Sequence, residues 1–202
     1  MVGRASGITD SLIGWGVYVV GLLPAAIYFW WGATGGLGAD PVREFEQTLG
    51  LWALRFLILT LAVTPLRELA GVNLLRYRRA LGLLAFWYAV MHFTVYLTLD
   101  RGLLWGTILP DIAKRPFITL GFSALVLLVP LALTSNRLSI RRLGRNWRRL
   151  HRLVYVAAAL AAVHYLMATK VVDPTQAAHV GLIVLLLVYR LVRPLIPRRR
   201  AV

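Results

Sequence analysis

Four histidines stand out in a 202-residue chain that contains no cysteine. His92, His164 and His179 fall within long apolar stretches, and His151 falls at the arginine-rich start of another. An ionisable side chain in a run of hydrocarbon-spanning length is costly to bury, so each is a functional candidate by default. The absence of cysteine excludes disulfides, a Cys-x-x-Cys redox pair and cysteine-held iron–sulfur or zinc sites. A redox metal in this chain has to be held by histidine or oxygen.

The elements that must position these residues are six apolar blocks. The chain is 59% hydrophobic, yet carries 23 Lys and Arg against 8 Asp and Glu, a formal net charge of +15. A soluble nucleic-acid binder of that charge would spread its basic residues over a wet surface. Here they punctuate blocks long enough, or nearly so, to cross a bilayer core of about 30 Å. The expected spans are about 11–31, 46–66, 80–99, 116–136, 153–169 and 175–190. The expected fold is therefore all-α: a polytopic membrane protein with six transmembrane helices in a bundle, read as a single domain over 1–202. The first block is longer than the roughly 7–15-residue core of a secretory signal and reads as a retained helix.

Alternate connections differ sharply in basic content. One side collects Arg4, Arg67, Arg76, Arg78, Arg79, seven arginines from Arg137 to Arg152, Arg190, Arg193 and Arg198 to Arg200. The other holds Arg43, Arg101, Lys114, Arg115 and Lys170. The positive-inside rule then makes both termini and the connections 67–79 and 137–152 cytoplasmic. Membrane lipid is the expected partner of this basic face, and no nucleic acid is called for.

With that orientation, depth can be compared by counting from the basic ends. His92 lies 13 residues beyond Arg79, and His164 lies 12 beyond Arg152. At a helical rise of about 1.5 Å per residue, both sit roughly 18–20 Å from the inner boundary. For one histidine a hydrogen bond to a neighbouring helix is the simpler account. Two imidazoles at one depth on two helices suit axial ligation of a b-type haem, and an iron with both axial positions filled favours electron transfer over oxygen chemistry. The 13-residue offset from His151 to His164 corresponds to about 19.5 Å of helix, enough for two stacked sites. An ideal helix would set those two side chains about 140° apart, so either the fifth helix is distorted or they face different neighbours.

These residues carry a family resemblance over nearly the full length. It rests on GGLGADPV at 35–42, TPL at 64–66, RRALGLLAFWYAVMHFTVY at 78–96, RPFITLG at 115–121, ALTS at 132–135 and LGRNWRRLHRLVYVAAALAAVHYL at 143–166. The chain resembles the haem-binding membrane subunits of periplasmic methionine sulfoxide reductase systems, within the ferric-reductase-like transmembrane family. The resemblance implies His92, His151 and His164 as haem ligands, and FMN as an associated cofactor for which no sequence motif is visible. It also implies an electron-transfer subunit of the bacterial inner membrane, without catalytic residues of its own, that passes electrons from quinol or a separate cytoplasmic flavin reductase to a periplasmic molybdenum-containing catalytic subunit. The wider ferric reductases and NADPH oxidases are similar in their fifth-helix histidines but place a second histidine on the third helix, where this chain reads Tyr77-Arg78-Arg79. A second haem on His151 would then have a non-histidine ligand, a water or an open position opposite it. Rival readings are a ferric reductase or superoxide-forming oxidase on the same haem core, and a haem-free transporter or assembly scaffold.

Further polar residues have two readings each. Arg55, inside the second span, suits a haem propionate or quinone oxygen, or else a structural pairing with a neighbouring helix. Arg78 and Arg79 suit propionates of an inner haem or a flavin phosphate, or else mark topology alone. His179 is a rival ligand to which the resemblance gives no role. GGLG at 35–38 lacks the spacing of a dinucleotide fingerprint and reads as a turn after the first helix. The outer connections at 32–44 and 100–115, with Arg101, Lys114 and Arg115 among their charges, are expected to offer a docking surface for an electron acceptor.

Overall fold

A computed structural model describes the backbone of residues 5–195 and the side chains from Trp15 to Leu195. Arg4 and Arg198 to Arg200, which contributed to the expected orientation, lie outside the described residues. The elements are α1 (Ala5–Thr34), α2 (Pro41–Leu69), α3 (Arg78–Val95), α4 (Trp105–Lys114), α5 (Pro116–Leu133), α6 (Arg137–Leu143), α7 (Arg145–Leu150), α8 (Leu153–Met167) and α9 (Pro174–Val192). No strand occurs among the described residues. Six helical stretches are long and apolar enough to cross a membrane, and they coincide with the six expected spans. Large apolar side chains such as Phe29 and Trp30 are two-thirds exposed, as expected where the surrounding solvent is lipid.

Helix starts follow local chemistry. Asp40 accepts the Arg43 N–H at 3.1 Å ahead of Pro41, and Asp173 accepts the Gln176 N–H at 2.9 Å ahead of Pro174. In each case a carboxylate satisfies an orphan donor, and proline occupies the first turn, where its missing N–H costs nothing. The glycine turn stops α1 as expected. Gly35 adopts φ +75° and Gly36 N–H returns to the Trp31 carbonyl at 2.7 Å.

α2 packs along α3, and α5 along α8; α1 leans on the first pair, and α9 bridges α2 and α8. The core between them is led by Leu49, Phe56, Leu61, Leu84, Tyr88 and Ile183. Two prolines open helical ladders that side chains then close. Pro24 breaks α1, and the buried Tyr88 hydroxyl enters the gap, accepting from Ala25 N–H at 3.1 Å and donating to the Gly21 carbonyl at 2.7 Å. Pro65 has no N–H for the Leu61 carbonyl, which takes Nη2 of Arg190 on α9 at 3.0 Å instead. At the opposite end, the fully buried Gln176 ties α9 to the end of α8 by donating to the Tyr165 carbonyl and accepting from Thr169 Oγ1.

Three short helices depart from the expected loops. Residues 100–115 contain α4, held by the burial of Ile108 and by Asp111, which meets Arg101 at 3.0 Å and Arg115 at 3.1 Å. Residues 137–152 contain α6 and α7. The fourth span stops at Leu133 rather than 136, because Thr134 and Ser135 turn their hydroxyls back onto the carbonyls of Pro130 and Leu131 and Asn136 caps α6 through the Ser139 N–H. α3 ends in a π-helical turn, Tyr96–Asp100.

Candidate functional site

His92 on α3 and His164 on α8 meet inside the bundle. Their ring centroids lie 6.2 Å apart with the planes inclined at 70°. Each ring is held the same way. Nδ1 of His92 lies 2.8 Å from the Glu46 carbonyl of α2, and Nδ1 of His164 lies 2.6 Å from the Phe117 carbonyl of α5. A carbonyl can only accept, so both Nδ1 atoms carry the proton and both Nε2 atoms keep a free lone pair. Neither Nε2 has a hydrogen-bond partner among the described residues. Phe117 also stacks on the His164 ring at 6.2 Å and 22°.

This donor set fits an iron between two imidazoles. Two metal–nitrogen bonds of about 2 Å laid end to end, with the ring radii added, bring the centroids to roughly 6 Å. Carbonyl anchoring of the remote nitrogen is the usual outer-shell support for a metal-binding histidine. The pair lies near the end of the bundle remote from α6 and α7, since Phe117 is the second residue of α5.

His151 is elsewhere. It caps α7 in a turn, its Nε2 lies 3.1 Å from Thr134 Oγ1, and its ring stacks on Trp147 with centroids 3.9 Å apart. Trp147 in turn donates Nε1–H to the Thr134 carbonyl at 2.9 Å. The question of relative facing is resolved by a distortion. Tight backbone bonds from Val154 N–H to His151 and from Tyr155 N–H to Arg152 interrupt the helix before α8, and both histidines address α5, His151 at its last turn and His164 at its first.

Arg55 donates Nε–H to His179 Nε2 at 3.4 Å and stacks over Trp52. His179 gives its own Nδ1–H to the Thr175 carbonyl at 2.7 Å, so it stands apart from the His92–His164 pair. Arg78 and Arg79 lie at the start of α3, Arg78 on the side of His151, and neither guanidinium has a carboxylate partner among the described residues. Arg101 and Arg115, expected in a docking surface, are committed to Asp111 within the fold; Lys114 is exposed and outside that cluster.

Reading the histidines alone missed the groups that seat them: the carbonyls of Glu46 and Phe117, and Gly50 and Gly121, against which the two rings rest. A glycine one turn after each carbonyl was the available signal, and RPFITLG ends on one of the two.

The profile of the family described as ferric reductase like transmembrane component matches residues 49–162, which include His92 and His151 and stop two residues short of His164. A protein-methionine-sulfoxide reductase heme-binding subunit MsrQ from Brucella anthropi is 58% identical over 188 residues, 93% of this chain and 86% of that protein. The proteins of the same name from Brucella ovis and Brucella canis are 58% identical over 186 residues, 92% of this chain and 84% of each. No solved structure matches the chain significantly. With six membrane-spanning helices and these relatives, it is a multi-pass protein of the bacterial inner membrane and belongs to the ferric-reductase-like transmembrane family, in the branch of the MsrQ subunits.

Proposed function

We propose that this protein is a b-type cytochrome carrying electrons from quinol, or from a separate cytoplasmic flavin reductase, to a periplasmic molybdenum-containing methionine sulfoxide reductase that repairs oxidised proteins. The observation that carries the reading is the facing His92–His164 pair, with both Nδ1 protons on helix carbonyls and both Nε2 lone pairs free. The printed name of the relatives, heme-binding subunit, supports it.

In this reading the whole chain is one domain with both termini in the cytoplasm, and His92 and His164 hold the outer haem through Nε2. A haem held by these residues would supply one-electron transfer, and reduction of a sulfoxide to thioether and water takes two electrons and two protons. The same histidine pair would equally serve an oxidase or a ferric reductase, and it is the likeness to the MsrQ heme-binding subunits that favours this reading over those two. Phe117 stacks on His164 in the first turn of α5, beside the α4–α5 corner that this reading assigns to the periplasmic side.

The second, inner haem belongs to His151. The Thr134 hydroxyl gives its proton to the Pro130 carbonyl and so accepts from His151 Nε2–H, and ligation through Nε2 requires that proton to leave. Arg78 and Arg79 stand at the same end to meet propionates or the phosphate of FMN. Arg55 has committed Nε to His179 and retains its terminal nitrogens for a propionate or a quinone oxygen.

The test is the reduced-minus-oxidised spectrum and haem count of the purified protein. We expect a low-spin b-type spectrum that His92→Ala and His164→Ala each abolish, and a lower haem count with an intact low-spin signal in His151→Ala. A colourless protein, or full haem in both outer variants, removes the cytochrome assignment. A stoichiometry that never exceeds one haem per chain removes the inner site alone.

A further inference from the structure

Glycine inside a helix costs about 0.5–1 kcal/mol relative to alanine, so a glycine in mid-helix invites a reason. Gly50 of α2 and Gly121 of α5 share one. Each lies four residues after the carbonyl that receives a histidine Nδ1–H: Glu46 precedes Gly50, and Phe117 precedes Gly121. Helical Cα–Cβ bonds tilt toward the N-terminus, so a side chain covers the turn before its own Cα. The side chain of residue i+4 therefore stands beside the carbonyl of residue i, and glycine there leaves that carbonyl open to a donor arriving from a neighbouring helix.

A Cβ on Gly50 would fall 3.1 Å from Nδ1 and 3.2 Å from Cε1 of His92. On Gly121 it would fall 2.8 Å from Nδ1 and 2.9 Å from Cε1 of His164. Other helical glycines differ. At Gly82 the nearest atom would be Thr60 Cγ2 at an ordinary 3.6 Å, and at Gly21 the clash would be with Leu84 Cδ1, 2.4 Å away and remote from either imidazole.

The geometry points to Gly50 and Gly121 as paired positioning residues for the iron ligands, each admitting an imidazole to a helix carbonyl that fixes its tautomer, its plane and its electron density. This inference rests on the reading of His92 and His164 as haem ligands. The same device is built twice, α2 serving the histidine of α3 and α5 the histidine of α8. Because a carbonyl acceptor on Nδ1–H makes the imidazole a stronger donor and stabilises the ferric state, losing the bond raises the midpoint potential.

The experiment compares Gly50→Ala, Gly121→Ala, Gly82→Ala and Gly21→Ala in the full-length haem-loaded protein, by redox titration and by the low-spin resonance of the ferric form. We expect an upward midpoint shift with an altered low-spin signal in Gly50→Ala, and a larger shift, or loss of the low-spin signal, in Gly121→Ala. Gly82→Ala should match the parent. Gly21→Ala should lower yield while the recovered protein keeps the parental midpoint and resonance. Parental values in both Gly50→Ala and Gly121→Ala, or an equal shift in Gly21→Ala, overturn the assignment. Should Gly121→Ala not accumulate, Gly50→Ala decides alone, a shift supporting the inference and none overturning it. Failure of the underlying reading looks different: His92→Ala and His164→Ala would then retain their haem.

Discussion

Arg55, about halfway along α2, donates its Nε–H to Nε2 of His179 on α9 across 3.4 Å, and His179 donates its single ring N–H, on Nδ1, to the Thr175 carbonyl. Both nitrogens of the fourth histidine are thus used, Nε2 between helices and Nδ1 within α9. His179→Leu should leave the low-spin haem spectrum unchanged while lowering stability in a denaturant titration by about 1–2 kcal/mol, the range for such bonds inside membrane bundles. Adding Arg55→Leu should recover part of that loss, because an uncompensated buried charge costs more than an apolar pair. Loss of the low-spin signal in His179→Leu would instead make it a ligand.

Tyr88 closes the break that Pro24 leaves in α1. Tyr88→Phe removes the hydroxyl from both the Ala25 N–H and the Gly21 carbonyl, and straightening of α1 can restore only their direct bond. The expected cost is about 1–2 kcal/mol with an unchanged haem spectrum. Unfolding at the parental denaturant concentration would show that the bridge contributes nothing.

Arg190 and Pro65 should be coupled through the Leu61 carbonyl. Arg190→Leu leaves that carbonyl without a donor and should cost about 1–2 kcal/mol. In a Pro65→Ala background the residue at 65 regains an N–H for the same carbonyl, so the cost of Arg190→Leu should shrink. Equal costs in the two backgrounds, measured as a double-mutant cycle, would refute the coupling.

Charge on the α4–α5 corner divides into two kinds. Asp111 binds Arg101 and Arg115, so Asp111→Asn should loosen the corner that leads into Phe117 and weaken the fold there. Lys114 is exposed and outside that cluster. Lys114→Glu should leave stability unchanged and alter oxidation of the prereduced protein by its periplasmic partner several-fold at low ionic strength, an effect that fades as salt screens it. A stopped-flow rate that matches the parent at every salt concentration would exclude Lys114 from docking.

Span number, approximate limits and the equal depth of His92 and His164 were legible in the sequence, because each depends on quantities local to the chain: apolar run length, the rise per residue and the positions of arginine. Which face each histidine presents was not. The tight turns at His151 and Arg152 change the phase of the chain before α8, so counting residues at a constant helical angle could not show that His151 and His164 both address α5. The partner of Arg55 was equally hidden, since α2 and α9 meet only through tertiary packing and His179 lies 124 residues away. α4 escaped notice because ten residues with an internal proline carry too weak a pattern until Ile108 is buried and Asp111 gathers two arginines. The role of Gly50 and Gly121 appears only when the helices come together, because a missing Cβ has meaning only once the imidazole that occupies its space is in place.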